Sequence, residues 1–193
     1  MLPFGGLGVQ NKKRLAIART VAIAEGIAIN NIICYNIFYF GFSAIIVVNC
    51  GFILNEMNKT NILEMCNKLT RNTLMETLHI EYIDVGEDYL TAKMSVNSKV
   101  HQPMGLLHGG ASVALAESVG SAASMIFVDI EKYEVRGIEI SANHVKSKRE
   151  GEVFATAKII HKGNKLHLWE IRITDEEDQL ISLCKLTNMI LPK

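Results

Sequence analysis

Residues 101–121 read HQPMGLLHGGASVALAESVGS, and no other stretch restricts the fold so tightly. Beyond the Gly109-Gly110 pair, small apolar residues dominate to about Phe127 and charge is nearly absent. A helix that is apolar on every side is a buried helix. At this length it is wrapped by a sheet rather than set in lipid. One carboxylate, Glu117, interrupts the run. Burying a carboxylate without a partner costs several kcal/mol. A chain that keeps one beside an anion-binding helix start is using it for chemistry.

The remaining sequence supplies the sheet. A short helix is expected at about 60–76. Leu78 to Val85 and Tyr89 to Val96 flank Gly86-Glu87-Asp88, a hairpin turn. Leu90, Ala92, Met94 and Val96 alternate with Thr91, Lys93 and Ser95, the period of a half-buried strand. Four further strands are predicted at Val135–Val145, Glu152–His161, Leu166–Thr174 and Leu180–Ile190, joined by polar or glycine-bearing turns. Short connections among these four predict an antiparallel meander. The fold class is α+β, a long helix packed on a curved antiparallel sheet.

Composition divides the chain near residue 56, into an apolar N-terminal extension (1–56) and a folded domain (57–193). Gly26 to Asn55 contains no charged side chain, and residues 32–54 are long enough to span a bilayer despite Asn36 and Asn49. Three expectations compete for this segment. It is an upstream extension from a start ahead of Met57, a membrane anchor, or a soluble packing element. The first is favoured, because Met57 opens a natural start followed by an amphipathic helix, and the chain is then cytoplasmic. Net charge is zero, so bulk electrostatics point to no nucleic-acid partner, and none is expected. Cys34, Cys50, Cys66 and Cys184 are scattered without a C-x-x-C pair, which fits reduced thiols better than a zinc site or disulfide framework.

Candidate chemistry gathers on the 101–121 run. Residues three and four positions from Glu117 are Val113, Ala114, Gly120 and Ser121, so no cation on this helix pairs with it. It is a catalytic base or nucleophile; the alternatives are a solvent-facing carboxylate or an inter-subunit hydrogen-bond partner. The N–H groups at a helix start lack intrahelical partners and lie at the positive dipole end. At His108-Gly109-Gly110 they would stabilise an oxyanion growing from a carbonyl. Gln102 can donate a hydrogen bond to the same oxygen. Ser121, one turn beyond Glu117, can hold water or the carboxylate. His108 precedes Glu117 by on the order of 13 Å of helical rise. Either one acyl group spans both, or a partner subunit supplies one of them. No G-x-S-x-G elbow and no metal-ligand spacing occurs, and His161 and His167 look unremarkable.

From about Leu63 to Pro192 the chain resembles the hot-dog-fold acyl-CoA thioesterases. It is most similar to the bacterial branch that hydrolyses 1,4-dihydroxy-2-naphthoyl-CoA in menaquinone synthesis and other aromatic acyl-CoAs. The run 101–121 carries the resemblance, with Gly137-Ile138-Glu139-Ile140-Ser141-Ala142-Asn143-His144 and Trp169-Glu170-Ile171. The resemblance implies dimers joined sheet edge to sheet edge, commonly paired into tetramers, with active sites at the dimer interface. It implies Glu117 as nucleophile or general base, and Gly109 N–H with Gln102 polarising the thioester carbonyl. His108 would position that carbonyl and Ser121 would assist. It places CoA contacts near Gly137, at His144, Val145, Lys146 and Ser147, and at His161, Lys162, Gly163, Asn164, Lys165 and Leu166. Lys146, Lys148, Arg149, Lys162 and Lys165 would meet phosphates. Val145 and Asn164-Lys165 depart from the family pattern. No metal or redox cofactor is implied; CoA enters as part of the substrate. The other readings are a hot-dog dehydratase or hydratase of acyl thioesters, and a non-catalytic acyl-CoA-binding module.

Overall fold

The computed structural model describes residues 58–193, so the expectations for the apolar N-terminal segment lie outside the described residues. Among the described residues no helix is long and apolar enough to cross a membrane.

Residues 58–69 form helix α1, and a second, short helix α2 follows at Leu74–Thr77. The single helix expected at 60–76 is therefore two. Asn72 adopts a left-handed φ of 57° between them. Thr73 then caps the new start by accepting from Met75 N. Asn67 anchors α1 to the first strand: its Nδ2 donates to Tyr82 O and its Oδ1 accepts from Tyr82 N, each at 2.9 Å. One amide side chain thus stands in for a neighbouring strand.

Strands β1 (Glu81–Val85) and β2 (Tyr89–Val96) form the expected hairpin. A one-turn 3₁₀ helix at Ser98–Val100 and a tight loop lead into α3 (Gly109–Ile126). The chain returns as β3 (Tyr133–His144), β4 (Gly151–Lys162), β5 (Leu166–Thr174) and β6 (Leu180–Pro192). The sheet runs β1-β2-β4-β5-β6-β3, with antiparallel pairing throughout.

The expected four-strand meander holds only for β4-β5-β6. Strand β3 pairs with β6 at the far edge, and β4 slots beside β2. Two features decide this. Residues 145–150 are no hairpin turn: Val145 N and Lys146 N donate to Ile181 O, and Lys148 O accepts from Leu107 N. The chain is carried past the start of α3 instead of folding back on β3. Strand β4 also alternates fully buried Val153, Ala155 and Ala157 with outward residues, whereas β3 is mostly exposed and polar. The first pattern belongs in a sheet centre and the second at an edge.

Strands β2 to β6 all touch α3. Five strands about 4.8 Å apart reach one helix about 10 Å wide only if the sheet curls around it. Small residues permit the approach. A side chain on Gly120 would begin 2.6 Å from Leu186 Cδ2. Leu115, Ala116, Val119 and Ala123 meet Leu90, Met94, Trp169, Ile171 and Leu186 in the core. The helix is not buried all round, however. Gly110, Glu117 and Met125 are exposed, and Val113, Ala114, Ser118, Ser121 and Ala122 are half-buried. That open face decides where the chemistry lies.

Candidate active site

The loop before α3 is held rigidly. Gln102 N donates to Leu106 O at 2.8 Å, Gly105 N to Gln102 O at 2.9 Å, and His108 N to Val100 O at 2.9 Å. Gly105 supplies the φ of +71° this turn requires, a conformation that is cheap for glycine alone. Gln102 Oε1 accepts from Met104 N. That contact orients the carboxamide, and its NH₂ group remains available as a donor.

His108 is the N-cap of α3, and its Nδ1 accepts from Gly110 N at 2.8 Å. The accepting nitrogen carries no proton, so the ring is the neutral Nε2–H tautomer. His108 is exposed and lines none of the three cavities described below. Gly109 N–H, at the positive end of the helix, meets no acceptor among the described residues. His144 stands over it. A side chain on Gly109 would begin 2.6 Å from His144 Nε2. His144 Nδ1 in turn lies 2.9 Å from Ser182 Oγ, which also donates to Asn143 O at 3.3 Å.

Gln102, Gly109 and buried Ser112 line a cavity of about 340 Å³ with His144, Val145, Lys146, Ser147 and Ile181. Glu117 and Ser121 line a different one, of about 320 Å³, between α1 and α3. Its walls are Met65, Leu69, Met75, Met125 and Ile126, with Cys66 and Tyr82 behind them. Burial pushes the Tyr82 phenol and the Cys66 thiol up. Tyr82 OH donates to Ser118 O at 3.1 Å. Lys162, Gly163 and Asn164 line a third cavity of about 300 Å³ with Phe127, Tyr133 and His167. Lys162 Nζ lies 4.3 Å above the Phe127 ring, a cation–π contact.

One chain thus divides the expected site. The Gln102–Gly109 donors and the 144–147 segment come together, while Glu117 and Ser121 belong to a separate pocket. Glu117 is exposed rather than shielded as the sequence implied, although α1 and β1 line the cavity beside it. Gly137 lies with Glu117 and not with residues 144–147: Glu117 Oε1 comes within 2.9 Å of the position a Gly137 Cβ would take. His161, Lys165 and Leu166 are exposed around the β4–β5 turn, where Gly163 N donates to Leu166 O at 2.9 Å and Lys165 O accepts from Ile190 N.

Two of the expected phosphate contacts already have acidic partners in the β5–β6 turn. Lys146 Nζ meets Gln179 Oε1 and Asp175, and Lys148 Nζ meets Glu176. The Lys148 ammonium and the Glu152 N–H hold the Glu176 carboxyl down to about 2.

The sequence reading missed a polar cluster inside the core. Trp169 Nε1 and Asn188 Nδ2 both donate to Ser124 Oγ at 2.8 Å, and His167 Nδ1 lies 3.1 Å from the same oxygen. Both Ser124 lone pairs are then filled, so its own proton goes to His167 Nδ1. His167 is 2% exposed, far from unremarkable. Burial, then the nearby Lys162 and His161, push its pKa below the ordinary histidine value. The signal was present in phase. His167 precedes Trp169, Ile171 and Ile173 on inward positions of β5, and Asn188 sits between Leu186 and Ile190 on β6.

Residues 104–182 match the Thioesterase superfamily. The 1,4-dihydroxy-2-naphthoyl-CoA hydrolase of Escherichia coli is 44% identical over 129 residues, 67% of this chain and 94% of that one. The Listeria monocytogenes protein of that name is 42% identical over 120 residues, 62% of this chain and 97% of that one. Among solved structures, a mutant of thioesterase PA1618 from Pseudomonas aeruginosa aligns with TM-score 0.67 and 41% identity, over 68% of this chain and 94% of that one. The chain belongs to the thioesterase superfamily. The hot-dog fold and the thioester-hydrolase class expected from the sequence both hold.

Proposed function

We propose that the protein hydrolyses an aromatic acyl-CoA, such as 1,4-dihydroxy-2-naphthoyl-CoA, to the free acid and CoA at a site completed by a second copy of the chain. Two relatives above 40% identity carry that substrate in their names. The division of the site is the observation that carries the reading. Gly109 and Glu117 are eight residues apart on one helix, about 12 Å of rise. A single thioester carbonyl does not reach both. A second protomer, approaching the open face of α3, sets its Gly109 N–H and Gln102 amide against the first protomer's Glu117. Strand β3 offers the matching edge, with Tyr133 and Ile138 exposed along it. Two such edges related by a two-fold axis pair antiparallel.

In this arrangement Gly109 N–H and Gln102 polarise the carbonyl and stabilise the oxyanion. Glu117 takes a proton from water, or attacks the carbonyl directly to form an anhydride that water opens. Ser121 holds the water or the carboxylate. The methionine-rich cavity beside Glu117 takes the acyl group, and flexible thioethers adapt to flat rings. Lys162 and Lys165, at the exposed β4–β5 turn, supply positive charge for the CoA phosphates. Water and the acyl-CoA are the only reactants, and the folded domain acts in the cytoplasm.

Complementation tests the shared site. Glu117→Gln and Gly109→Val chains are each expected to be inactive in thiol release from benzoyl-CoA and 1,4-dihydroxy-2-naphthoyl-CoA. Co-expressed, they form heterodimers with one intact site, restoring about one quarter of wild-type activity. No restoration in verified heterodimers overturns the shared site. Full activity of Glu117→Gln alone overturns the role of the carboxylate.

A further inference from the structure

We propose that Asn188 is a positioning residue for Glu117, its carboxamide oxygen accepting a hydrogen bond from the Glu117 carboxyl while that group holds the proton taken from water. The inference rests on the hydrolase reading above and selects the general-base route within it.

The geometry begins in the sheet. Gly137 and Asn188 are directly opposed in the β3–β6 ladder, so the Asn188 side chain and the side chain Gly137 lacks share one face. That face meets α3. The vacant Cβ position of Gly137 lies 2.9 Å from Glu117 Oε1 and 3.6 Å from Asn188 Oδ1. The missing side chain opens a notch on which both oxygens converge.

The orientation of the Asn188 amide is determined. Nδ2 donates to Gly120 O at 3.0 Å and to Ser124 Oγ at 2.8 Å. Turning the amide over would set its oxygen against the Gly120 carbonyl, a repulsive contact between acceptors. Asn188 is fully buried, and its Oδ1 meets no donor among the described residues. A buried acceptor without a donor is destabilising. The rest of the cluster around Ser124 is satisfied, so this one atom is the exception.

A carboxylate offers that oxygen nothing, since both are acceptors. A protonated carboxyl offers an O–H. The pair is therefore matched to the moment after Glu117 has acted as base. A water O–H bond breaks and its proton goes to Glu117, while the water oxygen bonds to the thioester carbon. The C–S bond then breaks, and the departing thiolate takes the proton back from Glu117. Asn188 holds the carboxyl between those two transfers.

Other groups around Glu117 do not reproduce this effect. Cys66 of α1 and Tyr82 of β1 line the same cavity, both thiol and phenol pushed up by burial. On β3, Arg136 is paired with Glu134 at 2.7 Å and Glu139 lies 3.5 Å from Thr187 Oγ1. His167 of β5 is reached only through Ser124.

The pH dependence of kcat/KM for benzoyl-CoA tests the proposal. An acceptor that stabilises protonated Glu117 places the acid limb of this profile at higher pH than it would otherwise lie. Asn188→Leu is expected to move that limb to lower pH by about one unit, with kcat falling about tenfold and KM unchanged. Gly137→Ala leaves the buried cluster in place, pushes the carboxyl out of the notch, and moves the limb the same way. It carries the test if Asn188→Leu does not fold. Ser124→Ala, which keeps Asn188 Oδ1, lowers Tm and leaves the limb in place. An unmoved limb in folded Asn188→Leu or in Gly137→Ala, with Glu117→Gln inactive, overturns this role alone. An active Glu117→Gln overturns the base assignment itself and this proposal with it.

Discussion

The imidazole of His144 stands where a side chain on Gly109 would begin, its Nε2 2.6 Å and its Cδ2 2.9 Å from that point. Gly109→Ala therefore forces the ring off the helix start and places a methyl beside the N–H meant for the carbonyl. His144 is exposed and able to shift, so the fold survives. The expected result is a fall in kcat of about 10²-fold, the usual effect of losing one oxyanion donor. Thiol-release kinetics and a thermal melt measure the two parts separately.

Removing the carboxylate is expected to be more severe. Glu117→Gln preserves shape and hydrogen bonding but cannot accept a proton at neutral pH. A drop in kcat of about 10³-fold or more follows for a general base or nucleophile, with Tm within a degree or two of wild type because the residue is exposed. Substrate binding, followed by calorimetry, remains. Wild-type turnover in this variant would remove Glu117 from the chemistry.

Acid sensitivity of the fold is expected to centre on His167. Its folded pKa lies below the unfolded value, so the unfolded chain binds the extra proton first. The resulting stability is fully present above about pH 6.5 and is lost as pH falls from there through the depressed folded pKa. A Tm series from pH 8 to pH 5 should show this loss in the wild-type protein and a flatter profile in His167→Gln. Parallel profiles would mean that some other group governs acid unfolding.

Asn67 couples stability to the acyl cavity. Asn67→Ala strips the Tyr82 backbone of both hydrogen bonds from α1, each 2.9 Å long. About 1–3 kcal/mol is lost for the unpaired groups. Met65 and Leu69, which wall the cavity from α1, lose their anchor as well. KM for an aromatic acyl-CoA is expected to rise several-fold, with kcat changed less. Steady-state kinetics beside a urea titration separate the two effects.

Much of this arrangement is visible in the residue pattern. The α3 run from Gly109 ends at Ile126, close to the expected Phe127, and β2 and β5 have the expected bounds. These are local properties. A period of two or 3.6 and a glycine turn act within a few residues of one another. The candidate carboxylate was legible for the same reason, being the lone charge in an apolar helix.

Local pattern did not decide which strand lies beside which. Strand β3 reads like its neighbours, yet it sits at the far edge because residues 145–150 are tied to Ile181 and Leu107 across the fold. Sequence spacing likewise could not reveal that Gln102 and Gly109 share a cavity with residues 144–147 while Glu117 faces another. Nor could it show that Gly137 and Asn188 meet behind that carboxylate. Such contacts join residues tens of positions apart. They depend on how a curled sheet closes on its helix, and only the completed packing sets that register.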